Sequence, residues 1–334
     1  MILHPPVLAL LIGSLLASFM LVYAACYAIA VLKNWNIKSG SERQLTLERK
    51  TYLISTLVGY AFAFQLLSLF LFVFIADDLS RLFIGAMCAA GTLNVNVYGY
   101  LALVLKMINF LVAGTWLVLN HVDTKAYDYP LIKKKCLLLL LITPIMLAET
   151  VVLFLYFLNL QPDIITSCCS TIFSTVASTA SVDGRGGAAG VSRPVIFFAL
   201  MGLTILQGIY VSLHRGRGAY LFATLSAVTF ISSIITLISV FSLYFYELPT
   251  HHCPFCILQS GYGYVGYPLY LALFGGVTAG IGCGITAFFK KISSIAEIIP
   301  YVQWRLALAA VICYAIFTGI IIVTMMTSNL IMEG

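Results

Sequence analysis

Charge is what this chain has least of. Lys, Arg, Asp and Glu make up 9% of its 334 residues, against roughly 25% in an ordinary globular domain. So few charges could not cover the surface of a soluble protein, which excludes a cytosolic enzyme, a disordered chain and a secreted disulfide scaffold. Nucleotide-binding signatures are missing as well: there is no G-x-x-x-x-G-K-[ST] and no dinucleotide fingerprint, so the chain itself should not hydrolyse ATP. The five histidines are His4, His121, His214, His251 and His252. None falls in the middle of an apolar run and C-x-x-C-H is absent, which disfavours an internal bis-histidine haem.

What the sequence has in abundance is apolar surface. Hydrophobic residues reach 61% and the mean hydropathy is +1.03. A bilayer core of about 30 Å needs about 20 apolar residues per helix. Eight stretches qualify, near Val7–Leu32, Tyr52–Ala76, Tyr98–Asn120, Cys136–Leu158, Pro194–Leu213, Ala219–Tyr246, Leu269–Phe289 and Leu306–Thr327. They are too long and continuously apolar for barrel strands. The expected fold is therefore all-α: a single integral membrane domain over residues 1–334 with about eight transmembrane helices. No basic region precedes the first run, so it reads as a span rather than a cleavable signal.

The basic residues are sorted along the chain. Fourteen of the 18 fall in the first, third, fifth and seventh loops, about 33–51, 121–135, 214–218 and 290–305. The positive-inside rule makes those loops cytoplasmic and puts both termini outside, with outer loops at about 77–97, 159–193 and 247–268. This sorting also explains the net charge of +6 without a nucleic-acid partner. The expected setting is a lipid bilayer, read as a prokaryotic cytoplasmic membrane. In the seventh span Gly276, Gly280 and Gly284 recur at four-residue spacing and offer another helix a smooth face.

Five of the nine cysteines, Cys88, Cys168, Cys169, Cys253 and Cys256, map to the outer loops. The sharpest motif is His251-His252-Cys253-Pro254-Phe255-Cys256. A C-x-x-C pair closes a short ring, and one thiol can stabilise the thiolate of the other. His251 and His252 supply nearby positive charge when protonated, and Pro254 restricts the turn. Neighbouring cysteines such as Cys168 and Cys169 more often take separate partners, bind a soft metal or exchange disulfides. Five outer thiols is an odd number, so one must be reduced, metal-bound or paired to another molecule. Static disulfides, dithiol redox exchange and a metal or cluster role all remain open on this pattern.

An interfacial C-x-x-C beside a membrane helix, with further cysteines in another outer loop, resembles the layout of the vitamin K epoxide reductase and bacterial disulfide-oxidant families. Those helical membrane proteins pass electrons from thiols to a quinone. The resemblance implies that Cys253 and Cys256 face the quinone while Cys168 or Cys169 relays electrons from an extracytoplasmic redox protein. It makes the expected function membrane thiol redox. The alternatives are a non-catalytic subunit anchoring an extracytoplasmic redox or metal protein within a larger complex, and a transporter.

The transporter alternative rests on two charges inside apolar runs. Lys106 lies about eight residues into the third span and Glu149 about nine from the outer end of the fourth, so both sit roughly 12–14 Å deep. Charges at that depth are costly and are normally paired or line a polar cavity. Consecutive helices usually pack together, so a Lys106–Glu149 pair is expected, either fixing helix register or serving as a proton-relay or quinone-headgroup site. Gln65 and Gln207 are further polar candidates.

Overall fold

The computed structural model describes residues 3–35, 41–161 and 188–330. Among the described residues the long elements are all helices: α1 (Pro5–Asn34), α2 (Glu42–Leu79), α4 (Val97–Asp123), α5 (Ile132–Leu158), α6 (Ala188–Leu213), α7 (Ala219–Thr236), α9 (Gly266–Ala287) and α10 (Ile298–Thr327). Two short helices, α3 (Ala89–Leu93) and α8 (Ser242–Tyr246), complete the set. A π-helical segment over Leu237–Phe241 joins α7 to α8, so Ala219–Tyr246 is one continuous rod. Counting that rod once, eight helices among the described residues are long and apolar enough to cross a membrane.

Several helices begin earlier than hydropathy alone suggests. Helix α2 starts at Glu42, ten residues before Tyr52. Ser41 Oγ accepts the Gln44 N–H (3.3 Å) as an N-cap, and the polar turn that follows is rich in good helix formers. Helix α5 starts at Ile132 because Asp123 Oδ1 accepts the Leu131 N–H at 2.8 Å. Its Lys135 is buried against Asp123 (2.8 Å) and Asn120 (3.0 Å) rather than standing in a solvated loop. Helix α10 starts at Ile298, with Pro300 in its first turn, where a fixed φ costs nothing.

Hydroxyls on the helices turn back to their own backbone. Thr56, Thr143, Thr150, Thr204 and Thr318 each donate to the carbonyl four residues earlier. On helices this apolar few other acceptors are near, so the i−4 carbonyl is the cheapest acceptor.

Contacts gather the chain into two compact units. The first comprises residues 1–75, 93–161 and 288–299. Here α5 packs on α1 and on α4, and Phe62 and Trp116 meet edge to face at 5.1 Å within a core that includes Leu21, Ile142 and Met146. The second comprises residues 76–92, 162–287 and 300–334, with α7 packed between α6 and α9. The glycine face of α9 makes this approach possible. A Cβ on Gly280 would stand 2.2 Å from Ser226 Oγ, and one on Gly284 would stand 2.3 Å from Ala223 Cβ. Both neighbours belong to α7, so the two backbones are closer than any side chain permits.

Candidate functional site

In the second unit Cys88 comes from the loop after α2, and Cys253 and Cys256 come from the loop between α8 and α9. Their three sulfurs all lie within 4.8 Å of one another. Cys88 Sγ is 3.5 Å from Cys253 Sγ, beyond the roughly 2.05 Å of a disulfide. Cys88 and Cys253 are 0% exposed and Cys256 is 6% exposed. A protein partner therefore cannot reach a sulfur without movement of these loops, whereas an ion or the edge of a small molecule needs far less.

Each loop is tied down by groups that the apolar sequence supplies sparingly. Asp77, near the C-terminal end of α2, uses one oxygen to accept both the Ala89 N–H (3.2 Å) and Gln259 Nε2 (2.9 Å). Gln259 Nε2 also donates to the Met87 carbonyl at 2.7 Å. Residues on both sides of Cys88 are thus stitched to the chain three residues after Cys256. Tyr246 clamps the C-x-x-C turn from the other side. Its hydroxyl donates to the Cys253 carbonyl and accepts the Ile257 N–H at 3.0 Å. Tyr270 donates to the Pro254 carbonyl at 2.6 Å. The Phe255 N–H points at Cys253 Sγ (3.4 Å), the arrangement that supports a negatively charged sulfur.

The two histidines have different surroundings. His251 Nε2 is 3.4 Å from Cys256 Sγ, and its ring meets Tyr246 edge-on at 4.4 Å. His252 Nδ1 lies 3.1 Å from the Ile238 carbonyl, which also accepts the Ser242 hydroxyl at 2.9 Å. A carbonyl only accepts, so Nδ1 carries the proton in this contact. Ile238 sits in the π-helical segment, whose altered bonding pattern leaves its carbonyl within reach of a side chain. Tyr262 stacks edge-on against Tyr246 at 5.0 Å. Its phenol is held above the ordinary tyrosine range, first by burial and then by the neighbouring Cys256 and Cys253 sulfurs.

The structure therefore brings Cys88, Cys253 and Cys256 together, sets His251 beside Cys256 and directs His252 to the backbone. Cys168 and Cys169 lie outside the described residues. Asp77, Gln259 and Tyr246 were not singled out from sequence. The signal for Asp77 was present, because an acidic residue near the end of an apolar run needs a partner.

In the first unit, Lys106 Nζ is 2.7 Å from Glu149 Oε1, with the side chains 0% and 1% exposed. Lys106 also donates to Ser68 Oγ (3.1 Å), and the Phe72 ring centroid lies 5.8 Å away. The second carboxylate oxygen accepts from Gln65 Nε2 and Asn109 Nδ2. Asn109 is three residues from Lys106, on the same face of α4, and its Oδ1 is buried with no hydrogen-bond partner among the described residues. Gln207 takes no part; it donates to the Gly218 carbonyl at 3.3 Å. The ion pair is thus enclosed by amides and a hydroxyl, as a charge pair in a low-dielectric interior must be. No protein family, curated protein sequence or solved structure matches this chain.

Proposed function

We propose that this is an integral membrane thiol-redox protein whose reactive group is the Cys88, Cys253 and Cys256 cluster on the outer face. The observation that carries the reading is the third thiol: Cys88 comes from a distant loop yet lies 3.5 Å from Cys253. Cys253 can then share a disulfide with Cys256 or with Cys88. Attack by the third thiolate moves the bond between them with no net redox change. Forming either bond from two thiols releases two electrons and two protons. A quinone reduced to its quinol accepts both. A dithiol on an extracytoplasmic protein returns the pair to the reduced state as it is itself oxidised. Cys168 and Cys169 take the partner-facing role in this reading.

The charge sorting of the loops supports an outer location, and the buried site suits a small oxidant. Anaerobic mixing of the reduced, purified protein with a soluble quinone tests the proposal. One equivalent of quinol should form per protein, with a disulfide involving Cys253. Absence of quinol, or quinol formation retained in a Cys253→Ser variant, would overturn it.

A further inference from the structure

The thiol cluster has the dimensions of a metal site. Tetrahedral zinc binds sulfur at about 2.3 Å, which sets neighbouring ligand sulfurs about 3.8 Å apart. The three sulfurs lie within 4.8 Å of one another, with Cys88 and Cys253 3.5 Å apart. A nitrogen ligand at about 2.0–2.1 Å would stand about 3.6 Å from a sulfur ligand in the same geometry. His251 Nε2 is 3.4 Å from Cys256 Sγ. Two further features point the same way. The Phe255 N–H directed at Cys253 Sγ offsets charge on a ligating thiolate. Tyr246 and Tyr270 hold the Cys253 and Pro254 carbonyls, so the turn is shaped before any ion arrives.

We infer that the reduced cluster binds one thiophilic d10 cation of the Zn2+ type, with Cys88, Cys253 and Cys256 as thiolate ligands and His251, which stands beside Cys256 but outside the group of three sulfurs, turning in as the fourth donor. Soft thiolate sulfur with one imidazole selects such ions over Mg2+ or Ca2+, which require oxygen. Binding converts three S–H groups to thiolates and releases three protons, with no electron transferred. The inference rests on the same three sulfurs as the redox reading but not on their oxidation. A bound ion and a disulfide compete for the same atoms, so metal should protect the thiols from an oxidant.

Cobalt titration of the full-length, metal-stripped protein, reduced and anaerobic in detergent without quinone, provides the test. One equivalent of Co2+ should give thiolate-to-cobalt charge-transfer bands and tetrahedral d–d bands, and Zn2+ should displace it. Cys88→Ser, Cys253→Ser and Cys256→Ser should each abolish the one-equivalent site. His251→Ala should weaken it while keeping the thiolate bands. A Cys168→Ser, Cys169→Ser double variant should bind as the parent does, and size-exclusion profiles verify that each variant is folded. The inference falls if the folded parent takes up no cobalt, if the spectrum is octahedral, or if binding follows Cys168 and Cys169 instead of Cys88. Because no oxidant is present, failure here leaves the quinone experiment standing, and the converse also holds.

Discussion

Replacing Lys106 with Met leaves the Glu149 carboxylate buried with two amide donors and no cation. In the structure Glu149 Oε1 depends on Lys106 alone among the described contacts, whereas Oε2 keeps Gln65 and Asn109. Breaking a buried pair by removing one member costs about 3–5 kcal/mol. Adding Glu149→Leu would not restore stability, because Gln65 and Asn109 would then lose their acceptor at about 1–3 kcal/mol for each stranded group. Adding Glu149→Gln keeps an oxygen facing the two amides and removes the charge. The Lys106→Met, Glu149→Gln variant should therefore recover at least about 2 kcal/mol relative to Lys106→Met. Reversible unfolding in mixed micelles, run as a double-mutant cycle, measures that coupling. A coupling below about 0.5 kcal/mol, the additivity expected of independent sites, would refute the account of this pair.

Loosening the stitch between the two cysteine loops should expose the thiols. Loss of hydrogen bonds worth about 1.4 kcal/mol in an Asp77→Ala variant corresponds to an opening equilibrium raised about tenfold. Alkylation of Cys88 under native conditions should rise to match, and an unchanged rate would show that Asp77 does not hold the loop. Gly280→Ala places a methyl 2.2 Å from the present position of Ser226 Oγ and should cost about 1–3 kcal/mol. Gly319→Ala, where a Cβ meets nothing within 4 Å, should be neutral or slightly stabilising. Equal melting temperatures for the two variants would contradict the close α7–α9 approach. In intact cells a membrane-impermeant thiol reagent should fail to label an engineered Lys133→Cys, and should label the outer-loop cysteines after reduction and mild loosening. Labelling of Lys133→Cys would reverse the proposed orientation.

Much of the helical architecture is legible in the sequence, because about 20 apolar residues admit few alternatives once a bilayer is the solvent. The limits of the spans were harder to read, since hydropathy marks where apolar residues end rather than where helices end. The Ser41 cap and the Asp123 bond to Leu131 extend helices through polar segments, and Gln303, in the polar first turns of α10, donates to the Cys283 carbonyl of α9 at 3.2 Å. Lys135 shows the same limit, since a lysine beside Lys133 and Lys134 reads as a loop charge until Asp123 is placed next to it. Lys106 and Glu149 could be matched from depth and helix adjacency. Ser68 could not, because a serine in a helix carries no signal of its partner. Likewise the C-x-x-C was visible as a local pattern, but Cys88 is 165 residues from Cys253 in sequence, and only tertiary packing joins them.

In the proposed three-thiol redox centre Cys253 is the shared sulfur. Mild quinone oxidation of the reduced, metal-free protein, followed by mass spectrometry of its disulfide-linked peptides, reads this out. The parent should form a Cys253–Cys256 bond. A Cys256→Ser variant should form a Cys88–Cys253 bond under the same conditions. Cys253 left reduced in both proteins, or joined only to Cys168 or Cys169, would contradict the proposed centre.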